Sequence, residues 1–427
     1  MREPPVEITL DGWAHGGQAV GRLPDGRACF VPRAIPGERV RVAVHTVKKR
    51  HAVADLLEVL TPSPHRVDPP CPLYEGCGGC QLQHVDPAHQ LALKRRVVIE
   101  QLQRLGGVID PPVADVITPT SGWPAGYRSW ARMAVSDGGV LGFRRPRAHT
   151  VQPVDECLLL QPDAQQLRER AGDDWAGATE VTLLAGSDGQ VVAVTTADPP
   201  GEVHGGPADD PRLGIVVDGR VQQPPSSIQV SVHGISLVAT AGSFFQAGWS
   251  GAEALVEAVL AAVDIRPDDT VADLYAGGGL LSVFLAAHAA HLIAVEADPV
   301  AADDARTNLS HADRREGSSR PGHAGSTEVR ATTVERWLAS NDATVDVVVL
   351  DPPRPGAGAE VVRGLLGLEP RQIVYVACDP AALARDTRTL LAGGYALQSV
   401  QPLDLFGHTA HVEAVAVFTI ADPPTGG

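Results

Sequence analysis

Residues 271–280 read VADLYAGGGL, an apolar run that passes through three consecutive glycines into a second apolar run. This order predicts a strand, a tight turn and the start of a helix. At Gly277 and Gly279 a ligand can approach the backbone closely, because no side chain stands in its way. Asp273 lies directly before the turn. Glu296 ends the next predicted strand, where its carboxylate can accept hydrogen bonds from ribose hydroxyls.

Two adenosine-containing cofactors fit this turn. A dinucleotide site needs a third small residue at the start of the helix, and Ser282 could serve as one. S-adenosylmethionine carries a positive sulfonium, which a carboxylate attracts, whereas the same carboxylate repels a pyrophosphate. Asp273 therefore favours S-adenosylmethionine, and NAD is the alternative.

The turn belongs to an α/β region over residues 241–427. Apolar strands alternate there with helical stretches, which predicts a doubly wound, Rossmann-like parallel sheet. In such a sheet the ligand crevice lies beyond the carboxyl ends of the strands. The predicted strands are Thr270–Leu274, His291–Glu296, Val345–Leu350, Gln372–Ala377 and His411–Thr419.

The sequence before residue 241 consists of short strand-like pieces separated by Gly and Pro turns. Five short strands over residues 6–60 predict a small β-barrel of the OB type, which forms a first domain, 1–60. Basic residues punctuate this barrel, and a cationic barrel face is a common platform for nucleic acids. Residues 61–240 are expected to form a β-rich central domain with a cysteine cluster. An amphipathic helix over residues 87–105 is expected to pack on the catalytic domain.

Three further reactive groups fall on or at the ends of the predicted strands. Asp351 opens the sequence Asp-Pro-Pro-Arg after one strand, Cys378 follows another, and Glu413 lies within the last. The helix predicted after Cys378 offers its positive end, which lowers a thiol pKa, and the adjacent Asp379 opposes this effect.

Each group also has a plain structural interpretation. A cysteine after a buried strand is often an inert small hydrophobe, and Glu413 could be a solvated side chain on an edge strand. The sequence Asp351-Pro-Pro-Arg354 could end a strand, or could be the amino-group clamp of adenine and cytosine N-methyltransferases. The combination favours another reaction. Methylating an amino nitrogen needs no thiol, whereas C5 of a pyrimidine is a poor nucleophile until a thiolate adds to C6.

These motifs together resemble the family of TRAM-domain, iron–sulfur 23S rRNA (uracil-5-)-methyltransferases over nearly the whole chain. The resemblance implies methylation of C5 of a uridine in RNA, with Cys378 as the nucleophile and Glu413 as the general base. It also implies that Gln246, Tyr275, Glu296 and Asp351 bind S-adenosylmethionine, with Asp351 also near the target base. The matching motifs, in chain order, are GCGGCQLQH with Cys71, Cys77 and Cys80, then Tyr127-Arg128, Gly142-Phe-Arg-Arg145 leading to Cys157, Phe244-Phe-Gln246, DLYAGGG, DPPRPG, YVACDP and HVEAV.

The chain departs from the family pattern at Ala276, at Leu280, at Ala247-Gly248 and near Thr333. These departures concern the binding of methionine and adenine rather than the chemistry at the ring carbon. They leave a second interpretation open, an iron–sulfur RNA-binding protein whose methyltransferase domain is inactive.

The cysteines form a candidate metal site, because Cys71, Cys77 and Cys80 are clustered and Cys157 is a remote fourth. Cytosolic proteins rarely contain disulfides, and such a set of thiolates can bind zinc or an iron–sulfur cluster. Zinc ribbons pair two C-x2-C knuckles, which the spacing C-x5-C-x2-C lacks. The resemblance implies a [4Fe–4S] cluster, and zinc is the alternative.

The charge distribution bears on the partner. The net charge is −16, but residues 1–170 carry 21 Lys and Arg against 18 Asp and Glu, whereas residues 171–427 carry 14 against 33. RNA, a polyanion, should therefore dock on the N-terminal side. Transfer-RNA members of the family typically lack the barrel and the cysteine cluster, so the resemblance favours 23S rRNA over tRNA.

No stretch of the sequence has the pattern of a secretory signal or of a transmembrane helix. We therefore expect a cytoplasmic protein without membrane association. We also expect a monomer with no obligate protein partner.

Overall fold

The computed structural model describes residues 4–171, 175–197, 212–243, 245–313, 325–340 and 343–421. Phe244, the first residue of the Phe-Phe-Gln motif, lies outside the described residues. The described residues form a closed barrel, a central sheet, a β-hairpin and a large α/β sheet. None of the helices in these ranges combines the length and the apolarity needed to cross a bilayer.

The N-terminal region is a closed five-stranded barrel, as the sequence predicts. Its strands are β1 (Val6–Ala14), β2 (Gln18–Arg22), β3 (Ala28–Pro32), β4 (Arg39–Val47) and β5 (His51–Thr61). The strand order is β1-β2-β3-β5-β4, and β1 closes the barrel by pairing with β4. Buried and exposed side chains alternate along the strands, so that Leu10, Val31 and Val40 fill the interior.

A helix connects the barrel to the predicted catalytic domain, residues 241–427, which is called the catalytic region below. Asp86 caps the start of α1 (Pro87–Gln101), because its carboxylate accepts hydrogen bonds from two N–H groups of the first turn. A π-helical turn, Leu102–Gly106, extends the helix and ends at Gly107 in a left-handed conformation. One part of the helix surface packs in the barrel core and another in the catalytic core. The helix therefore contacts the barrel as well as the catalytic region.

The central region is a mixed sheet with one helix against it. Its elements are β6 (Trp130–Val135), β7 (Leu141–Arg144), β8 (Val151–Pro153), α2 (Pro162–Ala171), β9 (Ala178–Ala185), β10 (Val191–Ala197), β11 (Leu213–Val217) and β12 (Arg220–Gln223). The strand order is β12-β11-β10-β9-β6-β7-β8. Met133 and Trp175 lie fully buried in its core. A separate hairpin, β13 (Ser227–Val232) and β14 (Ile235–Thr240), shares its core with the catalytic sheet.

The catalytic region is a doubly wound sheet, which confirms the prediction from sequence. Its elements are α3 (Trp249–Ala262), β15 (Thr270–Leu274), α4 (Leu280–Ala286), β16 (His291–Glu296), α5 (Pro299–Asp313), β17 (Ser326–Ala331), α6 (Val334–Ser340), β18 (Val347–Leu350), α7 (Gly358–Leu368), β19 (Gln372–Ala377), α8 (Pro380–Ala392), β20 (Tyr395–Leu403) and β21 (Glu413–Ile420). The strand order is β17-β16-β15-β18-β19-β21-β20, and β21 is antiparallel to both of its neighbours, β19 and β20. Two apolar cores cover the two faces of the sheet.

Two strands of this sheet, β17 and β20, were not predicted from the sequence pattern. The edge strand β17 has no fully buried residue, so it lacks the apolar run that marks the inner strands. The register of β20 slips between Leu397 and Ser399, which breaks the alternation of its side chains. The last strand begins at Glu413, two residues later than predicted.

Candidate active site

The glycine turn lies at the carboxyl end of β15. Tyr275, Gly277 and Gly279 have φ angles of 62°, 55° and 82°, so the backbone turns sharply into α4. A Cβ at Gly279 would lie 3.1 Å from the Cα of Ala305 in α5, and this close approach requires glycine. A Cβ at Gly277 would meet no atom within 4 Å, so the space next to this residue is open.

Glu296 stands beside the turn at the end of β16. Its Oε2 accepts a hydrogen bond from the N–H of Gly277 at 2.8 Å, and its Oε1 accepts one from the N–H of Asp298 at 2.7 Å. These two bonds fix the carboxylate at the end of the strand. Each oxygen keeps a further lone pair, which can accept a hydrogen bond from a ribose hydroxyl.

Asp273 is buried below the turn. The hydroxyl of Ser282 donates a hydrogen bond to Oδ2 of Asp273 at 2.5 Å. Its Oδ1 has no partner among the described residues. Burial, together with the charges of Asp351 and Glu296, raises the pKa of Asp273 to about 7. A buried carboxyl oxygen without a partner is suited to receive a cationic or hydrogen-bonding ligand.

Cys378 and Glu413 meet at the carboxyl end of β19. In the antiparallel pairing of β19 with β21, Ala377 lies opposite Ala414. Continued by one residue, this register places Cys378, which follows Ala377, opposite Glu413, which precedes Ala414. Glu413 is buried, and its Oε1 has no partner in the described part of the chain. Cys378 keeps partial exposure to solvent. The structure therefore brings the predicted nucleophile and the predicted base together.

Asp351 completes this cluster from the neighbouring strand β18. Its N–H donates a hydrogen bond to the carbonyl of Leu274 at 3.2 Å, which ties it to the strand that carries Asp273. Burial raises the pKa of Asp351 to about 7. Burial and the charge of Asp351 raise the pKa of Glu413 well above its ordinary value. Both carboxyl groups therefore keep their protons to a higher pH than ordinary carboxyl groups do.

The pKa of Cys378 is also raised, to about 12, by burial and then by Glu413 and Asp351. The expectation that the helix end lowers this pKa is therefore wrong, because burial and two carboxylates outweigh the helix. Asp379 is not among the opposing charges. It caps α8 instead, accepting a hydrogen bond from the N–H of Ala382 at 2.8 Å.

Sequence reasoning assigned no role to two side chains beside this cluster, Arg354 and His411. The charge of Arg354 lowers the pKa of both Cys378 and Glu413. Its guanidinium lies 3.5 Å from Nε2 of His411, and burial lowers the pKa of His411 to about 4. The motif DPPRPG contains Arg354 and the motif HVEAV contains His411, but only the fold shows that these two side chains lie close together.

Gln246 is buried at the start of α3, next to a close backbone contact. The N–H of Ser129 donates a hydrogen bond to the carbonyl of Ala247, and a Cβ at Gly248 would overlap the carbonyl oxygen of Tyr127. The departure from the family pattern at Gly248 thus has a steric reason. At a second departure, the hydroxyl of Thr333 accepts a hydrogen bond from the N–H of Arg336 in the first turn of α6.

The four predicted metal ligands Cys71, Cys77, Cys80 and Cys157 are free thiols that interact through charge. Burial raises the pKa of Cys77, Cys80 and Cys157, and neighbouring thiolates of the same set add to each shift. The N–H of Gly79 donates a hydrogen bond to the sulfur of Cys77 at 3.3 Å. The structure contains no group of three or more ligating side chains arranged for a metal ion within its described ranges.

Comparison with known proteins agrees with this architecture. The sequence model of the TRAM domain matches residues 2–57, and that of the tRNA (Uracil-5-)-methyltransferase family matches residues 225–420. An uncharacterized RNA methyltransferase of Streptomyces avermitilis is 36% identical over 96% of this chain and 97% of its own. The 23S rRNA (uracil(1939)-C(5))-methyltransferase RlmD of Alkalilimnicola ehrlichii is 34% identical over 97% of this chain and 96% of its own.

A solved structure shows the same fold. It is the tRNA (uracil-54, C5)-methyltransferase of Pyrococcus abyssi in complex with S-adenosyl-L-homocysteine, with a TM-score of 0.73 and 24% identity. The match covers 97% of this chain and 99% of that one. The expectation that transfer-RNA members lack the barrel is therefore wrong for this relative. Together, the two family matches and the full-length relatives establish that this chain belongs to the family of S-adenosylmethionine-dependent RNA (uracil-5-)-methyltransferases with an N-terminal TRAM domain.

Proposed function

We propose that this chain transfers a methyl group from S-adenosylmethionine to C5 of a uridine in 23S rRNA through a covalent bond between Cys378 and C6. The observation that carries the proposal is the register of β19 and β21, which supports a thiol and a carboxyl group facing one substrate ring. Addition at C6 and proton removal at C5 need two such groups on adjacent ring carbons.

The residues around the glycine turn fit S-adenosylmethionine. Bound there, the cofactor supplies an electrophilic methyl group next to a positive sulfonium. The unpartnered Oδ1 of Asp273 and the open space at Gly277 support a bound cation and its adenosine at this position. Glu296 would accept hydrogen bonds from the ribose hydroxyls. The remaining residues proposed to line the cofactor site are Gln246, Tyr275, Gly279 and Asp351.

In the proposed reaction the target uridine is flipped out of its stack into the crevice. Cys378, as a thiolate, adds to C6, and the ring electrons move to O4 as an enolate. C5 then attacks the donor's methyl carbon, the bond between this methyl group and the sulfonium sulfur breaks, and the rest of the donor leaves as a neutral thioether. Glu413 removes the C5 proton, the bond between C6 and the sulfur breaks, and Cys378 leaves as the thiolate that entered.

In the free protein, the raised pKa values of Cys378 and Glu413 disfavour the ionised forms that this reaction needs. Arg354 supplies one positive charge that favours their ionised forms. A bound sulfonium adds a second positive charge to the same crevice, which lowers these pKa values further. We therefore expect the site to become reactive when the methyl donor is bound.

The choice of 23S rRNA rests on the relative from Alkalilimnicola ehrlichii, which matches this chain over 97% of its length. Transfer RNA is the second candidate, because the tRNA enzyme of Pyrococcus abyssi shares the fold over nearly the whole chain. Methylation of total cellular RNA with labelled donor, followed by mapping of the label, separates these two. Label in tRNA alone would overturn the rRNA proposal. No label in any RNA would favour the inactive RNA-binding protein.

The covalent step has a direct test. RNA that contains 5-fluorouridine should form a stable adduct with the protein, because fluorine cannot leave C5 as a cation. Cys378→Ala should abolish both turnover and the adduct while binding of S-adenosylmethionine persists. Cys29→Ala is the matched control, since Cys29 is buried in the barrel core. Retained activity in Cys378→Ala would exclude this residue as the nucleophile.

Glu413→Gln tests the base separately. The variant should still add to C6 and transfer the methyl group, but the C5 proton should remain. A methylated covalent adduct should therefore accumulate on ordinary uridine RNA, with turnover reduced by about a thousandfold. Normal turnover without an adduct would exclude Glu413 as the base.

We also propose that Cys71, Cys77, Cys80 and Cys157 hold a [4Fe–4S] cluster. The support for this proposal is that the charges of the four thiols act on one another and that one thiol accepts a backbone N–H hydrogen bond, although the described side chains are not arranged as a metal site. Bound there, it would cross-link residues 71–82, which we call the cysteine loop, to the central sheet. Iron, sulfide and zinc analysis of anaerobically purified protein decides between the cluster and zinc. One zinc ion without sulfide would overturn the cluster.

A further inference from the structure

The residues just before Glu413 form a buried loop, 404–412, between β20 and β21. At its centre His408 is buried and has a φ angle of 62°, a left-handed conformation that is strained for a residue other than glycine. Such a conformation persists only where the surroundings hold it. The contacts of His408 therefore show what determines the path of the chain into Glu413.

The cysteine loop provides two of those contacts. The N–H groups of Gln81 and Leu82 both donate hydrogen bonds to the carbonyl of His408, at 3.0 and 2.9 Å. The side-chain oxygen of Gln81 accepts a hydrogen bond from the N–H of Ala410 at 3.2 Å. Its side-chain nitrogen donates to the carbonyl of Gly78 at 2.9 Å. Gln81 thus connects the cysteine loop to two residues of the 404–412 loop.

Helix α1 holds the other side of His408. The N–H of His408 donates a hydrogen bond to Oε1 of Gln90 at 3.1 Å, and its ring nitrogen Nδ1 lies 3.2 Å from Nε2 of Gln90. The barrel packs against the remaining side of the 404–412 loop. Gly17 lies so close to this loop that a Cβ on Gly17 would be only 2.9 Å from the Cβ of Ala410. The loop is therefore enclosed, and the Gln81 side chain adds to the two backbone bonds a further link, at Ala410, to the segment that carries Cys80.

We propose that Gln81 is a positioning residue for the methylation reaction, which holds the 404–412 loop so that Glu413 faces Cys378. The inference rests on the proposed function, since it takes Glu413 as the base. Cys378 is carried by a different element, the end of β19, whose other edge pairs with β18. Loss of the Gln81 side chain should therefore impair proton removal from C5 more than addition to C6.

This difference gives a kinetic signature that a general loss of structure would not produce. Gln81→Ala and Gln81→Met should lower kcat by at least about tenfold and change KM for both substrates by no more than about threefold. Both variants should accumulate a methylated covalent adduct on ordinary uridine RNA. Gln81→Glu keeps an acceptor for the N–H of Ala410 and should recover most of the rate. Gln103→Ala, on an exposed glutamine that contacts Ile109, is the matched control.

Each outcome decides the inference. Slow turnover with an accumulated adduct in Gln81→Met, and recovery in Gln81→Glu, would support it. Turnover within about twofold of the native chain, or a change in KM alone, would overturn it. Equal loss of the 5-fluorouridine adduct and of turnover in Gln81→Met, at unchanged metal content and circular dichroism, would also overturn it. A native chain that forms no 5-fluorouridine adduct would instead overturn the proposed function, so the two failures are distinguishable.

Discussion

The Nε2 atom of His15 lies 3.0 Å from Oδ2 of Asp379, so the turn between β1 and β2 of the barrel touches the residue that follows Cys378. The second carboxylate oxygen of Asp379 caps α8 through the N–H of Ala382. The barrel therefore contacts the catalytic region at the start of the helix next to the nucleophile. An RNA that docks on the barrel, as the charge distribution predicts, would in this way lie near the proposed nucleophile.

This contact predicts an acid-sensitive contribution to stability. The hydrogen bond from His15 is the largest cause that lowers the pKa of Asp379 from 3.8 to about 2. Because the folded-state pKa is the lower one, the ionised carboxylate stabilises the fold at neutral pH, and this is lost as the pH falls from about 4 to about 2. His15→Ala should cost about 0.5–1 kcal/mol of unfolding free energy at neutral pH.

Urea unfolding of the native chain and His15→Ala across this pH range checks the prediction. The difference between the two should shrink toward zero at the acid end. His45→Ala is the control, since the ring of His45 contacts Thr46 and Asp55 within the barrel. A constant difference at all pH values would show that Asp379 does not carry the effect.

The raised pKa of Cys378 makes a second prediction, about its chemical reactivity. Only the thiolate reacts with iodoacetamide, so labelling of Cys378 should rise about tenfold per pH unit from about pH 7 to about pH 9, without a plateau. Peptide mass spectrometry separates Cys378 from the other cysteines. Glu413→Gln removes one charge that raises this pKa and should react faster at a given pH. A plateau near pH 8 would contradict the raised value.

The sequence predicted those parts of the protein that depend on local patterns. The five barrel strands, the capped helix α1 and the inner strands of the catalytic sheet all have regular apolar spacing or a recognisable start signal. The glycine turn and the strand ends that carry Cys378 and Glu413 belong to the same class. The glycine turn and Cys378 meet because carboxyl ends of parallel strands share one edge of a sheet. Glu413 reaches the same edge for a different reason, since β21 is antiparallel to β19 and begins there.

The parts that were not predicted depend on contacts between distant segments. His15 and Asp379 are 364 residues apart, and Gln81 and Ala410 are 329 apart. No local pattern marks either pair, because none of the four residues belongs to an apolar repeat and each would be equally acceptable on a surface. The prediction of the direction of the Cys378 pKa shift was wrong for a related reason, since burial depends on the whole tertiary structure.

Gly248→Ala should destabilise the fold and weaken binding of the methyl donor. The new Cβ would overlap the backbone carbonyl of Tyr127, which cannot rotate away as a flexible side chain could. We expect a loss of about 1–3 kcal/mol in unfolding free energy and a weaker affinity for S-adenosylmethionine, because Gln246 is two residues away. Thermal unfolding with and without the donor measures both effects.

Gly251→Ala is the matched control for this variant. Gly251 lies in α3, and a Cβ there would meet the side chain of Leu405 at 3.7 Å, an ordinary contact distance. Alanine is the better helix former, so this variant should be as stable as the native chain or more stable by up to about 1 kcal/mol. Equal stability of Gly248→Ala and Gly251→Ala would refute the steric explanation.

A buried ion pair joins α1 to the start of the loop that leads to Glu413. The ammonium of Lys94 lies 2.5 Å from Oδ1 of Asp404, and both side chains are almost fully buried. Lys94 also donates a hydrogen bond to the carbonyl of Phe406 at 3.1 Å, and the indole N–H of Trp123 donates one to Oδ2 of Asp404 at 3.0 Å. Removing one partner leaves the other charge buried without compensation.

Lys94→Met should therefore cost about 3–5 kcal/mol of unfolding free energy. Adding Asp404→Asn should restore much of this loss, because the orphaned charge is then gone while an amide can still accept the bond from Trp123. Arg96→Met on the same helix is the control, since Arg96 pairs with Glu100 on the surface and should cost no more than about 0.5 kcal/mol. Denaturant unfolding of the three variants gives the comparison. A loss for Lys94→Met as small as that for Arg96→Met would mean that this pair does not anchor the loop.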